Sequence, residues 1–516
     1  MSVRLDTRKD RLYETVTVYV RNDTGKTLKR IGIRNMAHAI IKLSAKKNAN
    51  GAINKKKYSR ITSAVNVKTG KRIPLKYKKD KTVLYGNIAK TPLKPGKTIV
   101  LRLKCTTDVP RNDDRFGYHK DKAGKMYELS FCFPYVSMYK NGKWNESPYI
   151  DAGENRYRSV ADYKVKFTAP KGYTVAATGT ETRKNGVTTI KADKVRDFAI
   201  VACNYMKKQS STVNGIRINN YYLKINRNST YKNLAMGAAK DSVRLFTDKF
   251  GKYPYRELDV VQGRMGTSNG MEFPGLVMIA ADDFTRGFNP KLADPVDICN
   301  IVSHEVAHEW FYATVGNDEY NEAWLDEGFA SYSANVLYDG VQPASLKKAA
   351  ALDKVKLPDA SKFDEYMDSQ VKTTLDGNSH FYINRPANKY AFIDYADRVY
   401  SGGSAFLWEL RRTMSREFLG RIYEPFAQEN RAEAGNVTGT GLGLSIVKKT
   451  VEIMKAASND SLFKDSTKAS PLLKYSTERS SRFSAEYCMR SLRRISASFL
   501  LSSTIAIFIF ASRSYL

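Results

Sequence analysis

Five histidines occur in 516 residues, and two of them, His304 and His308, stand four apart in His304-Glu305-Val306-Ala307-His308. The apolar positions around them (Ile301, Val302, Ala307, Trp310, Phe311) recur at helical spacing. A helix sets residues i and i+4 on one face, so both imidazoles point the same way, one turn apart, as zinc chelation requires. Glu305 between them is held beside such an ion without having to ligate it, which suits a general base taking a proton from water polarised by the metal. Nineteen positions after His308, Glu327 lies in NEAWLDEGF (Asn321 to Phe329), which reads as a turn entering a second helix. Two histidines and one carboxylate complete the protein shell of a catalytic zinc and leave one position for water.

The charge pattern supports the same chemistry. Between Ile301 and Ala330 there are seven carboxylates (Glu305, Glu309, Asp318, Glu319, Glu322, Asp326, Glu327) and no Lys or Arg, whereas the chain as a whole has 85 Lys+Arg against 52 Asp+Glu, a net +33. Such an acidic island favours a divalent cation and an ammonium group together. The competing explanation is a charged helix pair with two surface histidines.

These residues resemble the HExxH-x18-E zinc aminopeptidases, or gluzincins, of the alanyl aminopeptidase and leukotriene-hydrolase type. The resemblance spans about residues 1 to 417 and rests on HEVAHEWF, on NEAWLDEGFASY at the expected interval, and on FGKYPY (Phe250 to Tyr255) leading into Asn269-Gly270-Met271-Glu272-Phe273-Pro274. The last stretch is similar to the family's G-x-M-E-N exopeptidase motif, with Asn269 at the first glycine and Phe273 at the variable position. The resemblance implies one Zn2+ per chain, held by His304, His308 and Glu327, with Glu305 activating water. It implies that Gly270, Met271 and Glu272 form the substrate-binding stretch, Glu272 taking the peptide's free α-amine, and a carboxylate is a sound anchor for an ammonium in a desolvated pocket. The family also places a tyrosine opposite the metal to donate to the oxyanion. Tyr400, in Tyr400-Ser401-Gly402-Gly403, matches that stretch, and Tyr395 is the alternative. Glu309 and Asp326 flank the ligands and are expected to hydrogen-bond imidazole nitrogens. His38, His119 and His380 read as structural or surface residues.

Residues 1–205 are strand-like, with β-branched and aromatic runs such as Tyr13 to Val20, Thr82 to Gly86 and Ser159 to Thr168, punctuated by Lys/Asn/Gly turns. Asn22-Asp23-Thr24-Gly25 is expected to close a hairpin with the following segment. A strand near Ile216 to Ile225 and a helix over Tyr231 to Phe250, stopped by Gly251, open a second unit that is helical from Asp294 to Glu417. The fold class expected is multidomain: an antiparallel β-sandwich or saddle domain (1–205), then an α+β thermolysin-like zinc peptidase domain (206–417), truncated at its C-terminal side.

Composition narrows the function. With 42% apolar residues the chain has enough to build several cores, and five scattered cysteines make no disulfide scaffold and no CxxC pair. The lysines of the β-domain read as a solvated surface rather than a nucleic-acid site, because no recognition motif accompanies them, though they suit contact with an anionic cell surface. Peptides with a free N-terminus are the expected partners. No apolar signal segment follows Met1, which makes the cytoplasm the default compartment, with a secreted or cell-surface parent as the alternative. The run 495–512 is of minimal length for a membrane span and rich in Ser, and it reads as an apolar tail.

Beyond Gly420 the pattern changes. Glu424-Pro425-Phe426 followed by GTGLGLSIVKK (439–449) resembles the ATP-lid and last glycine-rich box of a sensor histidine kinase over about 421–456. Its other boxes have no match upstream, so ATP binding is not expected. A 418–457 fragment and a 458–516 tail behind a peptidase suggest a chimeric or frame-shifted reading frame. Two rival functions follow: an inactive product with an incomplete peptidase domain, and an ATP-binding signalling protein.

Overall fold

The computed structural model describes residues 1–413 apart from 48–57, 79–80, 112–114, 121, 151–152, 154–155, 225–228, 266–267, 281–294, 340–342 and 377–382. The kinase-like stretch and the apolar run 495–512 lie outside the described residues. Among the described residues, no helix is long and apolar enough to cross a membrane.

Among the described residues, the first two hundred build three larger sheets and a two-stranded one, Tyr139–Lys140 with Lys143–Trp144. A seven-stranded sheet has Ser2–Asp6 at its centre and, beside it, Arg11–Arg21 and Thr98–Asp108, which pair antiparallel along their whole length. Their side chains alternate, so Val16, Leu101 and Leu103 point to one face, where they pack with Ile31, Ile33 and Leu84 of a four-stranded sheet. A second four-stranded sheet, with Lys125–Leu129 and Ile200–Cys203 at its centre, packs through Tyr127, Leu129 and Ile200 in one core with Leu5, Val165 and Phe167.

Two local expectations fail here. The Asn22 turn does not close a hairpin with the next segment: Arg30–Arg34 belongs to the other sheet, and Arg11–Arg21 pairs instead with Ser2–Asp6 and Thr98–Asp108. The Asn22 side chain turns the chain by donating to the carbonyls of Lys26 (2.9 Å) and Leu93 (2.8 Å), so a buried amide carries it across to the second layer. The strand-like region also contains a helix, Ala37–Lys47, whose Ala37, Ile40 and Ile41 are buried at helical spacing.

Cys203 ends the last strand of that region, and Met206 begins a five-stranded sheet ordered Met206–Val213, Ile216–Leu223, Glu257–Gly263, Leu276–Ala280, Gly270–Phe273. Its three middle strands are parallel, and Gly270–Phe273 runs antiparallel along the edge. The helix Ser229–Phe250 makes the parallel crossover and ends at Gly251, whose φ of 99° takes the left-handed conformation that glycine adopts without strain. It packs through Ala235, Ala238, Ala239 and Val243 in one core with Cys299, Val302 and Val306 of the helix Pro295–Ala307. Small residues on one side let the two helices lie close, which fixes the histidine-bearing helix against the sheet edge. The same core takes in the helix Trp324–Val336 and, through Ala405, Leu407 and Trp408, the helix Gly402–Thr413.

Candidate active site

The helix Pro295–Ala307 delivers His304 in its last turn, and His308 follows directly, its backbone N–H still bonded to the His304 carbonyl at 3.3 Å. Glu327 comes from the first turn of Trp324–Val336. The three meet: His304 Nε2 and His308 Nε2 are 3.0 Å apart, and each is 3.2 Å from Glu327 Oε2. His308 Nδ1 lies 2.9 Å from the Phe311 carbonyl, a bond only an Nδ1–H can make, so in the neutral ring Nε2 keeps its lone pair toward the cluster. Ser331 Oγ stands 3.4 Å from His304 Nδ1.

Electrostatics describe the same demand. Burial holds His304 below the ordinary imidazole value against the pull of Glu327. Burial also opposes charge on His308, but Glu272, Glu327 and Glu305 outweigh it and raise that imidazole well above its usual value. Glu327, although burial works against its charge, is held below the usual carboxylate range by hydrogen bonds from His304 and His308. Two nitrogen donors, that of His308 buried and that of His304 half-buried, and a carboxylate oxygen converging within about a hydrogen-bond length need positive charge between them, and a divalent ion of nitrogen and oxygen preference fits that donor set.

Glu305 and Glu272 occupy the other side. Glu305, Glu272 and His308 each bring one donor atom to within 4.8 Å of the others. The edge strand Gly270–Phe273 supplies Glu272. Gly270 is required by contact: a Cβ there would fall 2.1 Å from Glu305 Oε1. Phe273, Pro274 and Gly275 then turn back, and Glu309 fastens that turn by accepting the Gly275 N–H at 2.9 Å.

Glu309 and Asp326 do not reach the imidazoles, contrary to expectation. Glu309, pushed up to about 8 chiefly by burial, serves the Gly275 turn. Asp326 Oδ1 accepts the Glu327 N–H at 2.9 Å. The imidazoles are oriented instead by the Phe311 carbonyl and the Ser331 hydroxyl.

Tyr400 sits in a π-helical turn, Ala396–Ser401, that runs into Gly402–Thr413. Its ring stacks on His304, with centroids 5.7 Å apart at 15°, and its hydroxyl donates to Glu327 Oε1. Tyr395 is buried with its hydroxyl against Gly153, where an added Cβ would lie 2.1 Å away. The widened turn aims Tyr400 at the cluster, and single π turns of this kind recur at functional sites.

Sequence reasoning missed Arg156. It is fully buried, its guanidinium donates to the Glu272 carboxylate and to Asp197 Oδ2 (3.2 Å), and its backbone N–H donates to Glu319 Oε2 at 2.6 Å. Arg156 lies 116 positions from Glu272 along the chain, and no local signal marks such a pair.

Comparison with known proteins agrees with this architecture. The family model "Peptidase family M1 domain" matches residues 234–453, running past Gly420 into the kinase-like stretch. Among curated proteins, human endoplasmic reticulum aminopeptidase 2 is 26% identical over 263 residues, 49% of this chain and 24% of that protein. Aminopeptidase N of Lactobacillus delbrueckii subsp. lactis is 25% identical over 345 residues, 63% of this chain and 36% of that protein. The chain thus spans about a quarter to a third of these curated relatives. Among solved structures, the M1 zinc metallopeptidase of Deinococcus radiodurans aligns over 88% of this chain and 89% of that one, with a TM-score of 0.57 at 18% identity. A mutant of that enzyme bound to a Tyr-Ser-Ala substrate aligns with a TM-score of 0.57 over 91% of its chain. The residues matched by the M1 peptidase domain model, 234–453, include every side chain of the cluster, and it is over this stretch that the chain is similar to that family.

Proposed function

We propose that the chain is a zinc-dependent aminopeptidase that removes N-terminal residues from peptides. The observation that carries this reading is the convergence of His304 Nε2, His308 Nε2 and Glu327 Oε2 beside the buried carboxylates of Glu305 and Glu272. His304, His308 and Glu327 would hold the ion, which when bound supplies Lewis-acid polarisation of the scissile carbonyl and of water.

The remaining roles belong to the protein's own groups. Glu305, buried and within reach of His308, takes the proton of the attacking water and returns it to the leaving amine. Glu272 on the sheet edge accepts the substrate's α-ammonium, which limits cleavage to the first peptide bond. Tyr400 donates its hydroxyl to the developing oxyanion. Gly270 leaves room for Glu305 and lets the edge strand approach closely.

We also propose a boundary near 205, a catalytic unit over 206–417 cut short at its C-terminal side, and a kinase-like fragment over 421–456, read from Glu424-Pro425-Phe426 and GTGLGLSIVKK.

The test is zinc stoichiometry on purified protein beside hydrolysis of a panel of aminoacyl fluorogenic amides, with and without chelator. About one zinc per chain with chelator-sensitive release supports the reading. Zinc without turnover favours the inactive product, and absence of both rejects the enzyme.

A further inference from the structure

We propose that Arg156 is the positioning residue of the amine anchor, fixing the Glu272 carboxylate so that it can receive a substrate's terminal ammonium. The inference rests on the reading of Glu272 given above and names what makes that side chain competent.

The geometry is specific. One guanidinium nitrogen of Arg156 donates to Glu272 Oε1, and the other faces the Glu272 main-chain carbonyl at 3.4 Å and Asp197 Oδ2 at 3.2 Å. Arg156 thus spans both the side chain and the backbone of the same residue, as a planar fork can and an ammonium cannot. The fork is itself held: Tyr312 lies 4.3 Å beneath the guanidinium carbon, with Phe273 at 5.4 Å and Phe131 at 5.5 Å. Tyr312 is fixed from behind, its hydroxyl donating to Asp197 Oδ2 at 3.2 Å and its carbonyl accepting from Arg196 Nε at 2.9 Å. It adopts φ 121°, a conformation a tyrosine keeps only where surrounding contacts determine it.

The chemistry explains the arrangement. Glu272 stands within 4.8 Å of donor atoms of Glu305 and His308, in a buried site crowded with carboxylates. A carboxylate there needs a fixed cation on its far side to stay oriented, and the substrate's ammonium then completes its coordination from the open side. Arg156 comes from the strand-rich N-terminal region and Glu272 from the edge of the five-stranded sheet, so this pair ties the first region directly to substrate recognition.

The experiment compares the full-length zinc-loaded protein with Arg156→Lys, Arg156→Gln and Glu272→Gln. KM for aminoacyl amides should rise about tenfold in Arg156→Lys and about a hundredfold in Arg156→Gln, with kcat within about threefold of the parent and zinc content unchanged. In the Glu272→Gln background the same substitutions should shift KM less than about twofold, because the partner is already gone. Calorimetric binding of L-tryptophan against N-acetyl-L-tryptophan gives a readout that needs no turnover. The parent should bind the free amine more tightly than the acetylated form, and Arg156→Lys should reduce that difference and Arg156→Gln erase it. Equal preference in parent and Arg156→Lys, a KM that falls, or undiminished shifts in the Glu272→Gln background would overturn the proposal. A protein that prefers the free amine through Arg156 yet hydrolyses nothing would reject the proposed peptidase activity and leave the anchor standing.

Discussion

Gly328 and Gly403 meet backbone to backbone where the helix carrying Glu327 crosses the helix that follows Tyr400. A Cβ on Gly403 would stand 2.6 Å from the Gly328 Cα, and one on Gly328 would stand 2.9 Å from the Gly403 Cα. Each glycine neighbours the chemistry: Gly328 follows Glu327, and Gly403 lies three positions after Tyr400. The contact sets the spacing at which the Tyr400 hydroxyl reaches Glu327. Gly403→Ala should therefore lower stability by about 1–3 kcal/mol through overpacking and cost at least about tenfold in kcat. Thermal unfolding and steady-state kinetics check this, and a variant with parental Tm and kcat would show that the helices tolerate separation.

Glu305 and His308 separate chemistry from metal binding. Glu305→Gln should retain about one zinc per chain yet lose roughly 10²–10⁴-fold in kcat, the scale of a missing general base. His308→Ala should lose both zinc and turnover. Elemental analysis beside amide hydrolysis distinguishes them, and activity surviving in His308→Ala would exclude a metal held by this cluster.

The two tyrosines make different contacts. Tyr400→Phe removes the hydroxyl that donates to Glu327 and should lower kcat about 10²-fold with little change in KM. Tyr395→Phe removes a hydroxyl lodged against Gly153 and should leave kcat within about threefold of the parent. Larger loss from Tyr395→Phe than from Tyr400→Phe would reverse the assignment.

Glu14 links stability to pH in the first region. Its carboxyl is buried opposite Cys105 in the seven-stranded sheet, and desolvation pushes it up to about 8 from 4.5. A folded-state value above the unfolded one means that the neutral acid is favoured by folding. The stabilisation is complete below pH 4.5 and is lost as pH rises toward about 8, over a span worth at most about 5 kcal/mol. Glu14→Gln should flatten the fall in Tm across that window, and an unchanged slope would place its origin elsewhere.

Spacing along the chain made the local chemistry legible. His304 and His308 fall on one face because a helix turn spans about four residues, and NEAWLDEGF was readable as a turn entering a second helix, so the three side chains that converge could be named from the sequence. The stop at Gly251 and the strand Ile216–Leu223 were legible for the same reason. What lay beyond periodicity was decided by tertiary packing. The strand Arg11–Arg21 takes Thr98–Asp108 as its partner rather than the next segment, because burial of alternating side chains between two layers outweighs proximity in the chain. The helix after Tyr400 is set by its contact with Gly328, and Glu309 accepts the Gly275 N–H while the outer imidazole nitrogens face the Phe311 carbonyl and the Ser331 hydroxyl. Arg156 was invisible for the deepest reason: a buried ion pair across 116 residues leaves no spacing to read, since only the folded core brings its two ends to one place.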